Sequence, residues 1–335
     1  MSLGRFIAAR FVAMVGVALA VSIVLFAAVE WLPGDAATRI LGQNATPERV
    51  EALREQLRLD EGPVQRYFAW LWGVLQGDFG TSVVNQQPVW SVISTPLRNS
   101  LVLGAIAFCA MSLIAVGLGV LAGRRPGGRA DRITSAITSS IASVPDFVLG
   151  GVLIAVFASW LGLLPSVSLV PVGSSPWSDP TVLILPAATL AVFGGAFGAR
   201  LIRAVVADAA SSPHVEAALL AGVPERRVVM RHLLPTVVGP TAQVLASIVP
   251  YVVGGAIVVE QLFGYPGIGA ALIGHLAARD VTVVEAIGML LTIVVLGALF
   301  AADVVGAAAD PRRRGAAARP ASQRPFGGSV AAEPQ

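Results

Sequence analysis

Residues 232–259 read HLLPTVVGPTAQVLASIVPYVVGGAIVV, a run of 28 residues without a single Asp, Glu, Lys or Arg. A helix needs about 20 apolar residues to cross the hydrocarbon core of a bilayer. Arg231 and Glu260 bound the run, and charged residues are expected where a span meets water. This stretch therefore predicts a transmembrane helix and sets the class of protein.

Five further stretches have the same apolar character. They are Phe11–Val29, Asn99–Gly123, Ile133–Pro165, Thr181–Ala199 and Ala286–Ala302. The third contains Pro145 and Asp146, so its limits are the least defined. Together the six spans predict an all-α, polytopic membrane protein.

The first span also has features of a signal peptide. Ala18-Leu19-Ala20 resembles a cleavage site and follows two arginines near the start of the chain. The apolar run continues for nine residues beyond Ala20, a length that favours a retained helix.

Composition excludes several classes of protein. The 335 residues are 55% hydrophobic and only 13% charged, whereas about 25% of the residues of a soluble domain are charged. A single cysteine, Cys109, excludes an internal disulfide and any multi-cysteine metal site. All basic residues are arginines in short clusters, not the dense basic face that nucleic acid requires, so no nucleic-acid partner is expected.

Arginine placement predicts the orientation of the spans. If the spans alternate, 16 arginines fall on one side: Arg5, Arg10, Arg124, Arg125, Arg129, Arg132, Arg200, Arg203, Arg226, Arg227, Arg231, Arg312, Arg313, Arg314, Arg319 and Arg324. Seven fall on the other side, six of them in one long segment rich in acids. Because cytoplasmic loops carry the excess of basic residues, both termini are predicted to be cytoplasmic.

This topology divides the chain into four regions. Residues 1–32 hold the cytoplasmic N-terminus and first span, and 33–98 form an external helical segment. Residues 99–310 form a core of five spans with a cytoplasmic connection at 204–235. Residues 311–335, rich in Ala, Pro, Arg and Gly, predict a disordered tail.

The external segment predicts two helices. Thr46-Pro47 is typical of a helix start, and Gly62-Pro63 separates it from a second helix. Tyr67, Trp70 and Trp72 place that second helix near the membrane interface. An amphipathic surface cap is favoured here over direct contact with a solute.

Two other connections carry turn signals. Between spans four and five, Ser212-Pro213 starts a short helix that Gly222 ends. Pro224 opens a second helix that runs to Leu234-Pro235 at the entry of span five. After span five, residues 263–269 contain three glycines and a proline and predict a tight re-entrant turn.

No catalytic constellation is present. The chain lacks the phosphate-binding G-x-x-x-x-G-K-[ST], the hydrolase G-x-S-x-G and the zinc-binding H-E-x-x-H motifs. The predicted topology separates His275 from His214 and His232, so all three histidines are interpreted as structural. A non-catalytic chain without a metal or cofactor of its own is therefore expected.

Acidic residues in or near spans are the remaining candidates for function. Asp146 is interpreted as either a path-lining or a structural acid. The other four lie at span ends, where the interface solvates them, and are interpreted as anchors: Glu30, Glu260, Glu285 and Asp303. No chain of acids crosses several spans, which argues against a proton relay.

The cytoplasmic connection carries a recognisable pattern. It reads Glu216-Ala217-Ala218, three residues, Gly222, nine residues, and then His232-Leu233-Leu234-Pro235. This resembles the EAA loop of ABC importer permeases, with His232 where the pattern has Ile. The Arg231-His232 pair is usual in the dipeptide/oligopeptide branch of that family.

Further landmarks of this branch follow in chain order, over about residues 5–314. They are Leu32-Pro33-Gly34-Asp35, Ala45-Thr46-Pro47-Glu48, Gly77-Asp78-Phe79-Gly80-Thr81-Ser82, Val259-Glu260, Phe263-Gly264-Tyr265-Pro266-Gly267-Ile268-Gly269, Asp303 and Asp310-Pro311-Arg312-Arg313-Arg314. The long external segment matches the first of the two permease types in such systems.

The resemblance implies a type I ABC importer permease fold in a bacterial inner membrane, with no catalysis on this chain. A second, similar permease would complete the translocation path for di- or oligopeptides or a related small solute. Two ATP-binding cassette subunits would bind ATP and Mg²⁺, and an external binding protein would deliver the solute. The implied ATPase-coupling residues are Glu216, Ala217, Ala218, Gly222, Arg226, Arg227, Arg231 and Pro235.

Two departures from the pattern leave alternatives open. Pro235 and Thr236 replace a basic residue and Asn that are frequent in this branch, and Asp146 stands where a small or hydroxyl residue is common. Peptides are the default solute, with nickel, glutathione and sugars carried by close relatives. The rival function is a proton-coupled secondary transporter that works without ATPase subunits.

Overall fold

The computed structural model describes residues 3–30, 36–42, 45–56, 61–171 and 173–309. This part of the chain is helical and contains no β-strand. The helices are α1 (Leu3–Glu30), α2 (Ala36–Leu41), α3 (Pro47–Gln56), α4 (Pro63–Gln76), α5 (Val89–Gly123), α6 (Arg129–Ala142), α7 (Asp146–Leu153), α8 (Thr181–Ala210), α9 (Pro213–Leu220), α10 (Glu225–Val228), α11 (Leu234–Phe263), α12 (Ile268–Ala277) and α13 (Val281–Ala309).

Five of the predicted spans are continuous helices long enough to cross a bilayer: α1, α5, α8, α11 and α13. α7 continues as a π-helical stretch over Ile154–Trp160, which makes one helix of Asp146–Trp160. The third span is broken, because α6 and this helix meet at an angle of 99°. Asp131 in α6 pairs with Arg203, whereas Gly150 in α7 lies against Thr189. The broken pair therefore runs antiparallel along α8 and occupies the place of the sixth span.

Glycines allow α5 and α8 to pack closely in the centre of the fold. A Cβ atom on Gly119 would lie 2.7 Å from Ile202, and one on Gly123 would lie 2.7 Å from Val206. In α8, Gly195 leaves similar room for Ile114. Small residues at four-residue spacing let membrane helices approach, since association in lipid depends on van der Waals packing.

The external segment has the predicted helix starts. Thr46 accepts a hydrogen bond from the backbone of Arg49 at its side-chain oxygen (3.4 Å), and Gly62 precedes α4. Exposed apolar side chains repeat along α4 at Val64, Phe68 and Trp72, as in a helix lying in a membrane interface. α5 begins at Val89, ten residues before the predicted span at Asn99, and accommodates Pro96 within the helix.

A buried contact joins this segment to the last two helices. The carboxylate of Asp280, at the turn between α12 and α13, is fully buried. It accepts hydrogen bonds from Ser82 Oγ at 2.5 Å and from the backbone N–H of Val83 at 3.2 Å, and His275 Nδ1 lies 3.1 Å away. The GDFGTS segment is thereby fixed to the core, and His275 has a structural partner, as predicted.

The turn after α11 is tight, as predicted, but its acid is not solvated. Glu260 is 1% exposed, and its carboxylate accepts hydrogen bonds from the backbone N–H groups of Gly269 (2.8 Å) and Ala270 (3.2 Å). Ser100 on α5 donates to the other carboxylate oxygen. Glu260 is an anchor, as predicted. Its side chain points inward, so the backbone N–H groups of the first turn of α12, and not interfacial water, provide the hydrogen bonds to its carboxylate.

Contacts between helix ends agree with alternating spans. Arg10 at the start of α1 lies 3.2 Å from Asp303 near the end of α13, so Asp303 is an anchor and α1 packs on the core. Arg125 after α5 pairs with Glu225 at the start of α10. The predicted Leu32–Asp35 landmark, the Glu30 side chain and everything from Asp310, including the predicted tail, lie outside the described residues.

Candidate docking site

The connection between α8 and α11 is a helical hairpin closed by a glycine. Pro213 opens α9 after Ser212, as predicted. At the other end, Gly222 has a φ of +76°, donates its N–H to Leu219 O (3.0 Å), and lets Val223 donate to Ala218 O (3.2 Å). This pair of bonds is a Schellman motif, which favours glycine because other residues are strained at positive φ.

One side of α9 is held and another is free. Val215 is only 3% exposed, so its side chain packs α9 against the rest of the protein. Glu216 and Ala217 are exposed, and Leu219 and Leu220 are 48% and 83% exposed. Glu216, Leu219 and Leu220 share a helix face because they are three and four residues apart. We call these three residues the docking face.

Three arginines that follow α9 in the chain are also free to contact a partner. Arg226, Arg227 and Arg231 are exposed, and none forms an ion pair with another described residue. Three free guanidinium groups beside the docking face suit a partner surface that carries carboxylates.

Two ion pairs hold the base of this connection. Glu225 accepts a 2.8 Å hydrogen bond from Arg125 Nε, and this bond and the carboxylate charge raise the pKa of Arg125. Asp131 on α6 is buried, accepts the N–H of Gly127 at 2.8 Å, and binds Arg203 on α8 with both carboxylate oxygens. Sequence reasoning did not single out Asp131, although an acid within an arginine cluster is a usable signal.

The helix predicted to run from Pro224 to Leu234-Pro235 does not end there but continues into span five. Residues Glu225–Phe263 form one continuous helical element of 39 residues. Its backbone widens to a π-helical turn at Val229–Leu233, directly before Pro235. A proline ring clashes with the carbonyl four residues earlier in a regular helix, and the wider turn accommodates it, so the element does not break. The docking hairpin is thus rigidly continuous with span five.

The end of α8 also differs from the sequence interpretation. α8 continues to Ala210, so Arg200 and Arg203 lie within a helix and not in the connection. The hairpin therefore occupies residues 211–224, which is shorter than the predicted 204–235.

Asp146 lies far from the docking face. It is the first residue of α7, after the bend, and a Cβ on Gly255 of α11 would lie 2.8 Å from its Oδ2 atom. Gly255 is 20 residues beyond Pro235, about 30 Å along the helix axis. The structure brings the predicted coupling residues together and leaves Asp146 separate from them. No group of three metal-binding side chains occurs within the described ranges.

Comparison with known proteins covers most of the chain. Residues 115–315 match the family described as binding-protein-dependent transport system inner membrane component. Residues 3–104 match the family described as the N-terminal region of such membrane components.

Individual relatives match over nearly their full length. A peptide transport system permease protein of Brucella abortus (strain 2308) is 33% identical over 89% of this chain and 95% of its own. The glutathione transport system permease protein GsiC of Escherichia coli (strain K12) is 31% identical over 92% of this chain and 99% of its own.

Proposed function

This chain belongs to the family of binding-protein-dependent transport system inner membrane components, and on that premise we propose that it carries short peptides. Members of the family are permease subunits of ATP-driven importers in the bacterial inner membrane, and they hydrolyse no ATP themselves. The rival, a proton-coupled transporter acting alone, has no support.

The transporter contains ATPase and solute-binding partners besides a second permease. We propose the composition of two similar permeases, two ATPase subunits and one external binding protein. ATP and Mg²⁺ bind the ATPase subunits, and this chain needs no cofactor. The two permeases together enclose the path, of which this chain lines half.

The docking face is proposed to enter a groove on an ATPase subunit. Leu219 and Leu220 provide apolar contact, while Glu216 and the free Arg226 and Arg227 fix its orientation through charge. The exposed leucines on a short helix whose other side is held by buried Val215 are the observation that carries this role.

Coupling then follows from the continuity of the helix that bears the hairpin. A displacement of α9 is transmitted through Glu225–Phe263 to the external turn at Glu260. ATP binding closes the ATPase pair, favours one arrangement of the spans, and so shifts the population between inward-open and outward-open states.

The solute assignment rests on the functions of the two relatives, which are named for peptide and glutathione transport. The test uses the complete complex in proteoliposomes, with radiolabelled tri-alanine outside as the probe and ATP enclosed inside, on the ATPase side. Uptake of tri-alanine that requires ATP hydrolysis supports the proposal. ATP-dependent uptake of nickel, without uptake of tri-alanine or of the tripeptide glutathione, would overturn it.

A further inference from the structure

Asp146 presents a carboxylate oxygen without a partner inside the membrane-spanning core. Its Oδ1 atom accepts the N–H of Phe147 at 2.8 Å. Its Oδ2 atom makes no hydrogen bond to any described residue and points toward Gly255 on α11. A carboxylate at the first residue of α7 is stabilised by the helix dipole, but that interaction leaves Oδ2 unused.

The carboxylate borders a cavity between α7, α8 and α11. This cavity has a volume of about 130 Å³, and Phe193, Phe197, Tyr251 and Gly255 line it with Asp146. Gly194, which also lines it, lies near the middle of the 30-residue α8. The cavity is therefore placed near mid-depth of the membrane, where the third span is broken.

A second cavity continues along the same face of α8. It has a volume of about 380 Å³, and Ser135, Ser139, Phe197 and Arg200 line it. Phe197 is common to both cavities, and its ring packs against Tyr251 with centroids 5.6 Å apart. Arg200 is exposed and forms no ion pair with another described residue.

An unpaired charge within a span is costly unless water or a ligand reaches it. Broken helix backbone at this depth is tolerated where it is buried in protein or lines a water-filled cavity. Asp146 and Arg200 each line a cavity that water or a ligand can enter. The other charges nearby, Asp131 and Arg203, neutralise each other in an ion pair. The two free charges have opposite sign and line neighbouring cavities that share Phe197.

We propose that Asp146 and Arg200 form a solute-reading pair on the permease surface of the path, Asp146 for an ammonium group and Arg200 for a carboxylate. The proposal rests on the proposed function, since it assigns these residues a solute with both charges. Asp146 lies level with Leu190 on α8, since both side chains approach the same point on Gly255. Leu190 and Arg200 are ten residues apart, or about 15 Å along α8. An extended chain of three residues spans about 10 Å, and the long Arg200 side chain covers the remaining distance, so a short zwitterionic peptide fits the separation.

The test removes one charge from the protein and the matching charge from the solute. The complete complex in proteoliposomes is given tri-alanine, N-acetyl-tri-alanine or tri-alanine amide. Asp146→Asn is expected to lower the uptake of subsaturating tri-alanine roughly tenfold, the size of one charge-assisted hydrogen bond, and to leave N-acetyl-tri-alanine uptake unchanged. Arg200→Gln is expected to do the same for tri-alanine while leaving the amide unchanged.

Matched controls on exposed residues separate this role from a structural one. Asp208→Asn and Arg129→Gln remove exposed charges near the ends of α8 and α6 and are expected to leave the uptake of all three probes unchanged. Equal losses for the zwitterion and its blocked derivative, or no loss in either variant, would overturn the proposal.

A second measurement does not depend on the solute. Cys109 is the only cysteine, so Cys109→Ser provides a background for Asp146→Cys, Arg200→Cys and the control Val148→Cys. Charged, membrane-impermeant thiol reagents are expected to modify positions 146 and 200 but not 148, which lies about 200° around the helix from 146. Absent labelling at position 146, or equal labelling at position 148, would overturn the proposal. This result can be read even if the wild type takes up no peptide. The missing uptake would by itself refute only the assignment of peptides as the solute.

Discussion

Val223 donates its backbone N–H to the carbonyl of Ala218, 3.2 Å away, across the left-handed Gly222. This bond turns the chain back on itself at the exposed end of α9. The docking face is therefore held in position by a backbone motif and by buried Val215, not by its own side chains. Its side chains remain free to contact a partner.

Gly222→Ala is expected to impair coupling without disturbing packing. A Cβ at Gly222 would meet no atom within 4 Å, so the substitution acts through strain at φ +76°, about 1 kcal/mol. Solute-stimulated ATPase activity of the complex should fall while the complex still assembles. Gly117→Ala is the control, because a Cβ there also meets no atom within 4 Å but the residue lies within the helix α5. An equal loss of ATPase activity in both variants would refute the role of the turn.

Gly123→Val is expected to separate α5 from α8. The new side chain would meet Val206 and the carbonyl of Arg203, each 2.7 Å from the added Cβ. Overpacking of this kind costs roughly 1–3 kcal/mol, so the midpoint of thermal unfolding in detergent should fall by several degrees. Gly104→Val, at a site with no atom within 4 Å, should change that midpoint little, and matching losses would argue against close packing here.

Asp131→Asn is expected to destabilise the base of the docking hairpin. The substitution removes the charge that pairs with Arg203, whose side chain is 37% exposed and partly solvated. Because water offsets part of the loss, about 2 kcal/mol is expected, less than for a fully buried pair. Hydrogen exchange of α6 should accelerate, whereas exposed Asp208→Asn should have no effect; unchanged protection of α6 would contradict this account.

Asp280→Ala is expected to release the external segment. Ser82 Oγ and the N–H of Val83 lose their acceptor in a fully buried site, and each unsatisfied donor costs about 1–3 kcal/mol. Limited proteolysis should cleave residues 77–88 faster in the variant. Asp78→Ala, which removes only an exposed hydrogen bond to Gly80, is the control, and identical cleavage rates would show that Asp280 does not hold the segment.

Local signals in the sequence predicted local structure well. Thr46-Pro47, Ser212-Pro213 and Gly222 act on their own neighbours, so their helix ends could be placed without knowing the fold. Charge-free runs located the five continuous spans for the same reason.

Features that depend on distant partners were missed. The burial of Glu260 depends on Ser100 and on the backbone of α12, and the pairing of Asp131 depends on Arg203, 72 residues away. The bend before Asp146 was visible only as a proline, and its meaning needed α8 and α11 in place. Periodicity alone could not show that Pro235 would leave its helix unbroken.

Photocross-linking from the docking face tests the central claim most directly. With p-benzoylphenylalanine at Leu220, which is 83% exposed, irradiation of the assembled complex should give one adduct with the mass of this chain plus one ATPase subunit. The same probe at exposed Phe68 on α4 should give no such adduct. No ATPase adduct from position 220, or one of equal yield from position 68, would contradict docking through α9.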